Sequence, residues 1–267
     1  MNYVNCNKED LEKEYAALVA EYEEVKGKGL KLNMARGKPG EDQLNLSRPL
    51  LDVINSSTDC ITAHGADCRN YGELAGIDEC KNFFAEIFDV DPSDVMVGGN
   101  SSLNMMFDTI AGFMTKPVVE GCKPWYEVKN RKFLCPSPGY DRHFAITEYF
   151  DFDLIPVPMT ENGPDMDVVE KLVENDDSIK GIWCVPKYSN PLGITFSDET
   201  VKRFAALKPA AKDFRIMWDN AYCVHDVTDT PDELLSLMAE CRKTGNVDLP
   251  IICLLYTSDA ADDMQCV

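Results

Sequence analysis

An α/β fold, with a mainly parallel sheet flanked by helices, is what the 267-residue sequence predicts, and three observations lead there. Short β-rich runs alternate with longer stretches whose apolar residues recur at helical spacing, the pattern of strand–helix–strand units that cover a parallel sheet on both faces. At 45% apolar residues the chain has ample material for such a core. Several β-rich runs are followed by loops containing Gly, Asn, Ser, Asp and Tyr, and open α/β sheets bind ligands beyond the carboxyl ends of their strands.

The first element is a helix over residues 8–25, where Leu11, Tyr15, Leu18, Val19, Tyr22 and Val25 form one stripe with charges elsewhere. Asn7 can cap its start, with Asp10 three residues on, and Gly27 and Gly29 supply the stop. An extended, turn-rich stretch is expected over 30–49. Helices are expected at 77–88, 101–114, 140–149, 165–174, 198–207 and 232–241, and strands at 95–97, 132–135, 153–157, 181–185, 215–218 and 249–252. No internal repeat or low-complexity linker interrupts the pattern.

Charge narrows the function. With 26 Lys plus Arg against 46 Asp plus Glu, the formal charge of -20 repels phosphate backbones, and no concentrated basic patch offsets it. Nucleic-acid binding is excluded on this ground. A membrane span is excluded because no window approaches the roughly 18 uncharged apolar residues it needs. Eleven cysteines are scattered without a CxxC pair, and residues 1–5 lack the features of a secretory leader. The expectation is a cytoplasmic protein with reduced thiols. His64, His143 and His225 have no metal-ligand spacing and read as ordinary surface or core histidines.

Four loops carry the candidate chemistry, and all are expected to face one crevice. Gly98-Gly99-Asn100-Ser101-Ser102 joins a strand to a helix start, where free N–H groups and the helix dipole can bind an anion such as phosphate; a plain capped turn explains it as well. Neither GxGxxG nor GxxxxGK[ST] is present, so nucleotide loops lose support. Asp219 ends an apolar run, and a partly buried carboxylate there calls for a cationic donor such as a protonated ring nitrogen, or else acts as a helix cap. Tyr222 can reach the same crevice or sit in the core. Asn190 precedes Pro191, which fixes the local backbone, and Tyr140 follows a Pro/Gly turn where its face could cover a flat ligand.

Taken in chain order, Arg36-Gly37-Lys38-Pro39, Tyr71-Gly72-Glu73-Leu74-Ala75-Gly76, the loops above and Asp219-Asn220-Ala221-Tyr222 resemble the class I and II aminotransferases, fold type I pyridoxal phosphate enzymes. Residues 33–40 and 137–144 look most like the aspartate aminotransferase subgroup Ic. The resemblance implies a large cofactor-binding domain over 51–252, with residues 1–50 forming a helix and arm that belong to a small domain. It implies transfer of an amino group between an amino acid, aspartate or glutamate foremost, and a 2-oxo acid. Asp219 then matches the aspartate that pairs with the cofactor's pyridine nitrogen and keeps the ring an electron sink. Tyr222 and Asn190 match the two donors to the ring's phenolic oxygen, and Gly99, Asn100 and Ser101 the phosphate cup. Tyr71 matches a tyrosine that reaches the phosphate of the neighbouring subunit, which implies a homodimer. Tyr140 is the choice for the ring-stacking aromatic, although many members carry tryptophan there. Gly37 resembles the glycine beside the substrate carboxylate, with Arg36 as a helper.

One requirement is missing. The Schiff-base lysine belongs after the strand that follows Asp219, yet no lysine follows 249–252; Lys243 precedes it, and Lys180 and Lys187 lie in other elements. The arginine that binds the substrate α-carboxylate is absent as well. Residues 253–263 resemble the translation of a sequencing adapter, so 253–267 are expected to be an artefactual tail foreign to the fold. The expectation is a fold incomplete at its C-terminus and an unstable, inactive fragment of an active parent. Alternatives are other chemistry on the same scaffold (a carbon–sulfur lyase or an aminocyclopropane carboxylate synthase-like elimination), a non-catalytic fragment that binds the cofactor reversibly, or a regulator's effector domain. A winged-helix segment would precede the last.

Overall fold

The structure is a computed structural model that describes residues 3–31, 40–226 and 228–254. The chain divides into two compact units, Met1–Ile54 and Asn55–Val267.

In the first unit, α1 (Lys8–Gly27) begins as the capping signal requires: Asp10 N–H donates to Asn7 Oδ1 at 2.9 Å. Exposed pairs Lys8–Glu12 and Glu9–Lys13 lie at i,i+4 spacing on its polar side. The turn-rich stretch expected over 30–49 is partly helical instead, with α2 (Glu41–Ser47) running into a 3-10 turn at Arg48–Asp52. Acidic Glu41 and Asp42 suit a helix start, and Gly40 N–H donates to the Gln43 side chain at 2.8 Å. These short-range signals outweigh the flanking glycine and proline. Among the described residues of this unit none is buried.

The second unit contains α3 (Asp78–Phe88), α4 (Ser102–Thr115), β1 (Lys132–Ser137), α5 (Asp141–Tyr149), β2 (Asp153–Thr160), β3 (Gly163–Pro164), α6 (Met166–Asn175), β4 (Ile179–Cys184), α7 (Asp198–Ala205), β5 (Arg215–Asp219), α8 (Leu237–Thr244) and β6 (Pro250–Cys253). The six-stranded sheet has the order β3-β2-β1-β4-β5-β6, all parallel except the β2–β3 pair. Strand residues alternate between two cores. Leu134, Ile182, Ile216 and Trp218 face one side and pack with Val169, Val173, Phe204 and Leu237 of α6, α7 and α8. Phe133, Cys135, Trp183 and Met217 face the other and pack with Met106, Ile110 and Ile146 of α4 and α5. A sheet apolar on both faces must be covered on both, which is why its strands read as short continuous apolar runs.

Three expectations are corrected here. Residues 95–97 form no strand, because among the described residues no neighbouring strand pairs with them; Val97 N–H donates to Ala75 O at 2.9 Å instead. The last helix starts at Leu237 rather than 232, capped by Ser236, since Asp232 N–H is taken by the Tyr188 hydroxyl at 3.0 Å. Finally, β6 continues to Cys253, whose carbonyl accepts from Asn220 N–H at 2.9 Å, so the fold reaches one residue past the expected limit of 252.

The amino ends of β4 and β5 enclose a polar knot. Buried Lys180 donates to Asp213 Oδ1 at 2.8 Å, and the buried Trp125 indole donates to Asp213 Oδ2 at 2.9 Å. Each carboxylate oxygen is satisfied, as a buried charge requires. Nearby, burial holds the Arg215 guanidinium below its usual range, and its Nη1 donates to the Phe214 carbonyl at 2.7 Å. Asp213→Ala strands a buried ammonium and is expected to lower unfolding free energy by about 3–5 kcal/mol in urea titrations, with Lys180→Met/Asp213→Leu recovering part of the loss.

Asp176 ties the turn before β4 to β1: Lys132 Nζ donates to it at 2.7 Å and Ser178 N–H at 2.9 Å. The Lys132 hydrogen bond first, then those from Ser178, hold the Asp176 carboxyl down at about 2. Because this folded value lies below the unfolded one, the stabilisation is present at neutral pH and is lost as pH falls through about 2. Asp176→Asn is expected to cost about 1 kcal/mol at pH 7, allowing for solvent screening, and the gap from wild type should close in the most acidic urea titrations.

Candidate functional site

Strand succession reverses between β1 and β4. From β1 the chain moves outward to β2 and β3, then returns past β1 to β4 and continues through β5 to β6 on the other side. Loops at the carboxyl ends of β1 and β4 therefore diverge and leave a crevice, the place where open α/β sheets bind ligands. Pro138, Gly139 and Tyr140 beyond β1, and Ser189 and Asn190 beyond β4, line one hollow together with His143 and Trp183.

At the centre of this arrangement is Asp219, the last residue of β5. The period of two places its side chain on the Met217 face, the face that α5 covers. There His143, in the first turn of α5, lies with Nε2 3.0 Å from Asp219 Oδ2; a carboxylate accepts, so the ring nitrogen donates. The imidazole stacks on Trp183 of β4 at 4.7 Å and 14°, and the Tyr140 ring meets its edge at 5.0 Å and 88°. The Trp183 indole donates in turn to Thr147 Oγ1 at 3.2 Å, one helical turn beyond His143. His143 is 1% exposed and Asp219 5%. Among the described residues, Asp219 Oδ1 is buried and has no hydrogen-bond partner.

The loop after β4 is held by its own backbone. Ser189 N–H donates to Ile194 O at 2.8 Å, and Phe196 N–H to Pro186 O at 2.8 Å. Tyr188 takes a left-handed conformation, φ 48°, unusual for an aromatic residue, and the loop contains a cis Asn190–Pro191 bond. Lys187, buried, reaches to the loop after β5: its Nζ donates to Asp226 Oδ1 at 2.7 Å and to the Cys223 carbonyl at 3.5 Å. One cation thus clasps the loop bearing Asn190 to the loop bearing Tyr222.

The sequence placed all four loops around one crevice, and the structure divides them. Tyr140 and Asn190 share the hollow at the β1–β4 reversal, and Asp219 joins through His143. Tyr222 stands in the turn three residues after Asp219, its carbonyl accepting from His225 N–H at 3.2 Å. Gly99 and Asn100 line a second hollow of about 230 Å³ against Ile252, Cys253 and Leu254. Cys253 pairs in register with Asp219, and β5 lies between the two hollows. Ser101 caps α4, accepting from Asn104 N–H at 3.3 Å. Tyr71, 97% exposed, lies outside both hollows in the turn lined by residues 66–77. Arg36 and Gly37 lie outside the described residues. Among the described residues no group of three or more His, Cys, Asp or Glu could hold a metal, and no helix is long and apolar enough to cross a membrane.

A family model described as aspartate amino-transferase matches residues 6–261. The chain belongs to the aspartate aminotransferase family. An aspartate aminotransferase of Corynebacterium glutamicum is 44% identical over 225 residues, 84% of this chain and 52% of that protein. A protein of Mycolicibacterium smegmatis named as an aminotransferase is 42% identical over 253 residues, 94% of this chain and 59% of that protein. The crystal structure of an aspartate transaminase from Corynebacterium glutamicum superposes with a TM-score of 0.83 at 40% identity, covering 94% of this chain and 58% of that one. The chain thus spans between half and three fifths of the length of these relatives. Its sheet and flanking helices are those of an aminotransferase large domain.

Two residues at the site were not singled out by the sequence. His143 read as an isolated histidine, yet it stands three residues after Tyr140, in the first turn of a helix leaving a strand end, where a side chain faces the carboxyl ends of neighbouring strands. Lys187 was set aside as a lysine in the wrong element, whereas its use is to clasp two loops. The Pro138–Gly139 turn sets Tyr140 over His143, and a Cβ on Gly139 would strike the Pro136 carbonyl oxygen and lie 2.9 Å from the Phe144 ring. Gly139→Ala is expected to weaken the near-ultraviolet circular dichroism of this aromatic group and to cost about 1–3 kcal/mol. Gly99→Ala, which meets nothing within 4 Å, is expected to stay within about 0.5 kcal/mol of wild type.

Proposed function

We propose that this chain carries the cofactor-holding part of an aminotransferase that moves an amino group between an amino acid, with aspartate or glutamate foremost, and a 2-oxo acid, using pyridoxal 5'-phosphate. The observation that carries this reading is the half-satisfied carboxylate of Asp219. Its Oδ2 accepts from His143, while its buried Oδ1 has no partner among the described residues. An ionised oxygen in that position is stabilised by a cationic N–H donor, and a protonated ring nitrogen is such a donor. When bound, the cofactor supplies a protonated aromatic ring that draws electrons from the α-carbon of the amino acid.

The chain's own residues supply the rest. Asp219 would hold the proton on the ring nitrogen, and His143, fixed between Trp183 and Tyr140, keeps the carboxylate aimed. Asn190 and Tyr222 would donate to the ring's phenolic oxygen. The N–H groups and hydroxyl of Gly99, Asn100 and Ser101, at the start of α4, hold the phosphate, where the helix dipole favours an anion. Tyr140 would cover the ring. Tyr71, projecting from its turn, reaches the phosphate of a partner subunit in a cytoplasmic homodimer, and Gly37 with Arg36 meets the substrate carboxylate. Support comes from the family match and from the gathering of Tyr140, Asn190, His143 and Asp219 at one strand reversal.

Lys243 is the last lysine in the chain and precedes β6, so the full 267-residue chain is expected to bind the cofactor without turning over amino acids. Equilibrium dialysis with pyridoxal phosphate checks this. Wild type should retain the cofactor, and Asp219→Ala should weaken retention more than about tenfold, the scale of one charge-assisted hydrogen bond. No retention by wild type, or equal retention by the variant, would remove the support that Asp219 gives.

A further inference from the structure

Residues 60–68 form a tight antiparallel turn outside the sheet. Ile61 bridges Asp67, Cys68 N–H donates to Cys60 O at 2.8 Å, and Thr62 N–H donates to Ala66 O at 2.8 Å. This register sets Cys60 directly opposite Cys68. In an antiparallel ladder a hydrogen-bonded pair of this kind has Cα atoms about 5.5 Å apart and side chains on the same face. A disulfide requires roughly 4.4–6.8 Å between Cα atoms, a range that contains the spacing of such a pair.

The surroundings fix the turn. Ala63 N–H donates to Glu79 Oε1 at 2.7 Å, and His64 Nδ1 lies 3.2 Å from Asp78, both at the start of α3. Arg69 grips Asp67 through Nε at 2.8 Å and Nη2 at 2.6 Å. Cys68 is exposed and Cys60 partly so, and the Cys60 thiol is engaged with Thr58 O at 3.5 Å, a weak contact that rotation of the side chain releases. The thiols in the sheet core differ in kind. Burial pushes Cys135 and Cys253 up to about 12, which keeps them protonated and unreactive at neutral pH. A metal site is not indicated, since among the described residues no third ligand completes a cluster.

We propose that Cys60 and Cys68 form a reversible dithiol–disulfide site, closed by thiol–disulfide exchange with a small-molecule disulfide. The exposed Cys68 thiolate attacks one sulfur of the small disulfide, forming a mixed disulfide and expelling one thiolate. Cys60, having given up its proton, then attacks the Cys68 sulfur, forms the Cys60–Cys68 bond and expels the second thiolate. Two protein thiols are oxidised and one small disulfide is reduced to two thiols, so electrons and protons balance. An excess of small thiol reverses both steps. The link would lock the turn that leads, three residues later, into Tyr71. None of this depends on the cofactor reading.

The test uses the full chain incubated with oxidised glutathione, quenched by alkylation and mapped by mass spectrometry. Expected is a Cys60–Cys68 cross-linked peptide two hydrogens lighter than the dithiol form and free of glutathione, restored to the dithiol by excess reduced glutathione. Cys60→Ser should halt the reaction with glutathione retained on Cys68. A wild-type protein that carries glutathione on either cysteine without the cross-link, a link from either one to Cys80 instead, or a cross-link yield no higher than in urea-unfolded chain would overturn the proposal. Because the urea arm compares the same chain folded and unfolded, a variant that fails to fold does not decide the outcome.

Discussion

The site depends on one constraint: a carboxylate placed at the end of a central strand, inside a core that is otherwise apolar. Asp219 continues the alternation of β5, so its side chain must point to the face covered by α5, and water does not reach it there. A buried charge needs donors, and the fold delivers one through His143, which the first turn of α5 swings across Trp183 of the intervening strand. Everything near the crevice is arranged about that reach. Tyr140 precedes the helix and braces the imidazole, Gly139 permits the turn, and Thr147 anchors the tryptophan on which the ring lies. The second oxygen, buried and without a partner among the described residues, is the valence that the proposed function assigns to a cationic donor.

Much of this layout was legible in the sequence. The alternation of strands and helices has a simple cause, the need to cover a two-faced apolar sheet, and Asn7 marks the start of α1 as local chemistry requires. That Asp219 is a buried acid at a strand end was legible, because it closes an apolar run. What escaped depended on distant partners. His143 meets Asp219 across 76 positions, and Lys187 meets Asp226 across 39, so no spacing rule connects them. The strand expected at 95–97 failed for the complementary reason: a β-rich run becomes a strand only when another strand lies beside it. The helix at 41–47 was lost among glycine and proline signals, although Glu41, Asp42 and Gln43 are good residues for a first turn.

The two ends of the strands handle polar groups in opposite ways. At the amino ends, Lys180, Asp213 and Trp125 satisfy one another completely. At the carboxyl ends, Asp219 and Asn220 each keep a buried oxygen without a partner among the described residues. A closed knot contributes to holding the sheet together, and open valences cost stability unless something binds them. The distribution follows from topology, since only the carboxyl ends border the reversal of strand order. In the first unit the contrast is different again: the apolar stripe of α1 lies in the open, with Tyr15 72% and Tyr22 64% exposed, and finds no burial within that unit.

The clasp formed by Lys187 bears on how such a scaffold can be altered. Because a single ammonium joins two loops by way of a main-chain carbonyl and one acid, residues at the loop tips can be exchanged while the hinge beneath them keeps its footing. Libraries that vary Asn190 or Tyr222 should therefore leave 187 and 226 unchanged as a matched set, much as a graft keeps its rootstock.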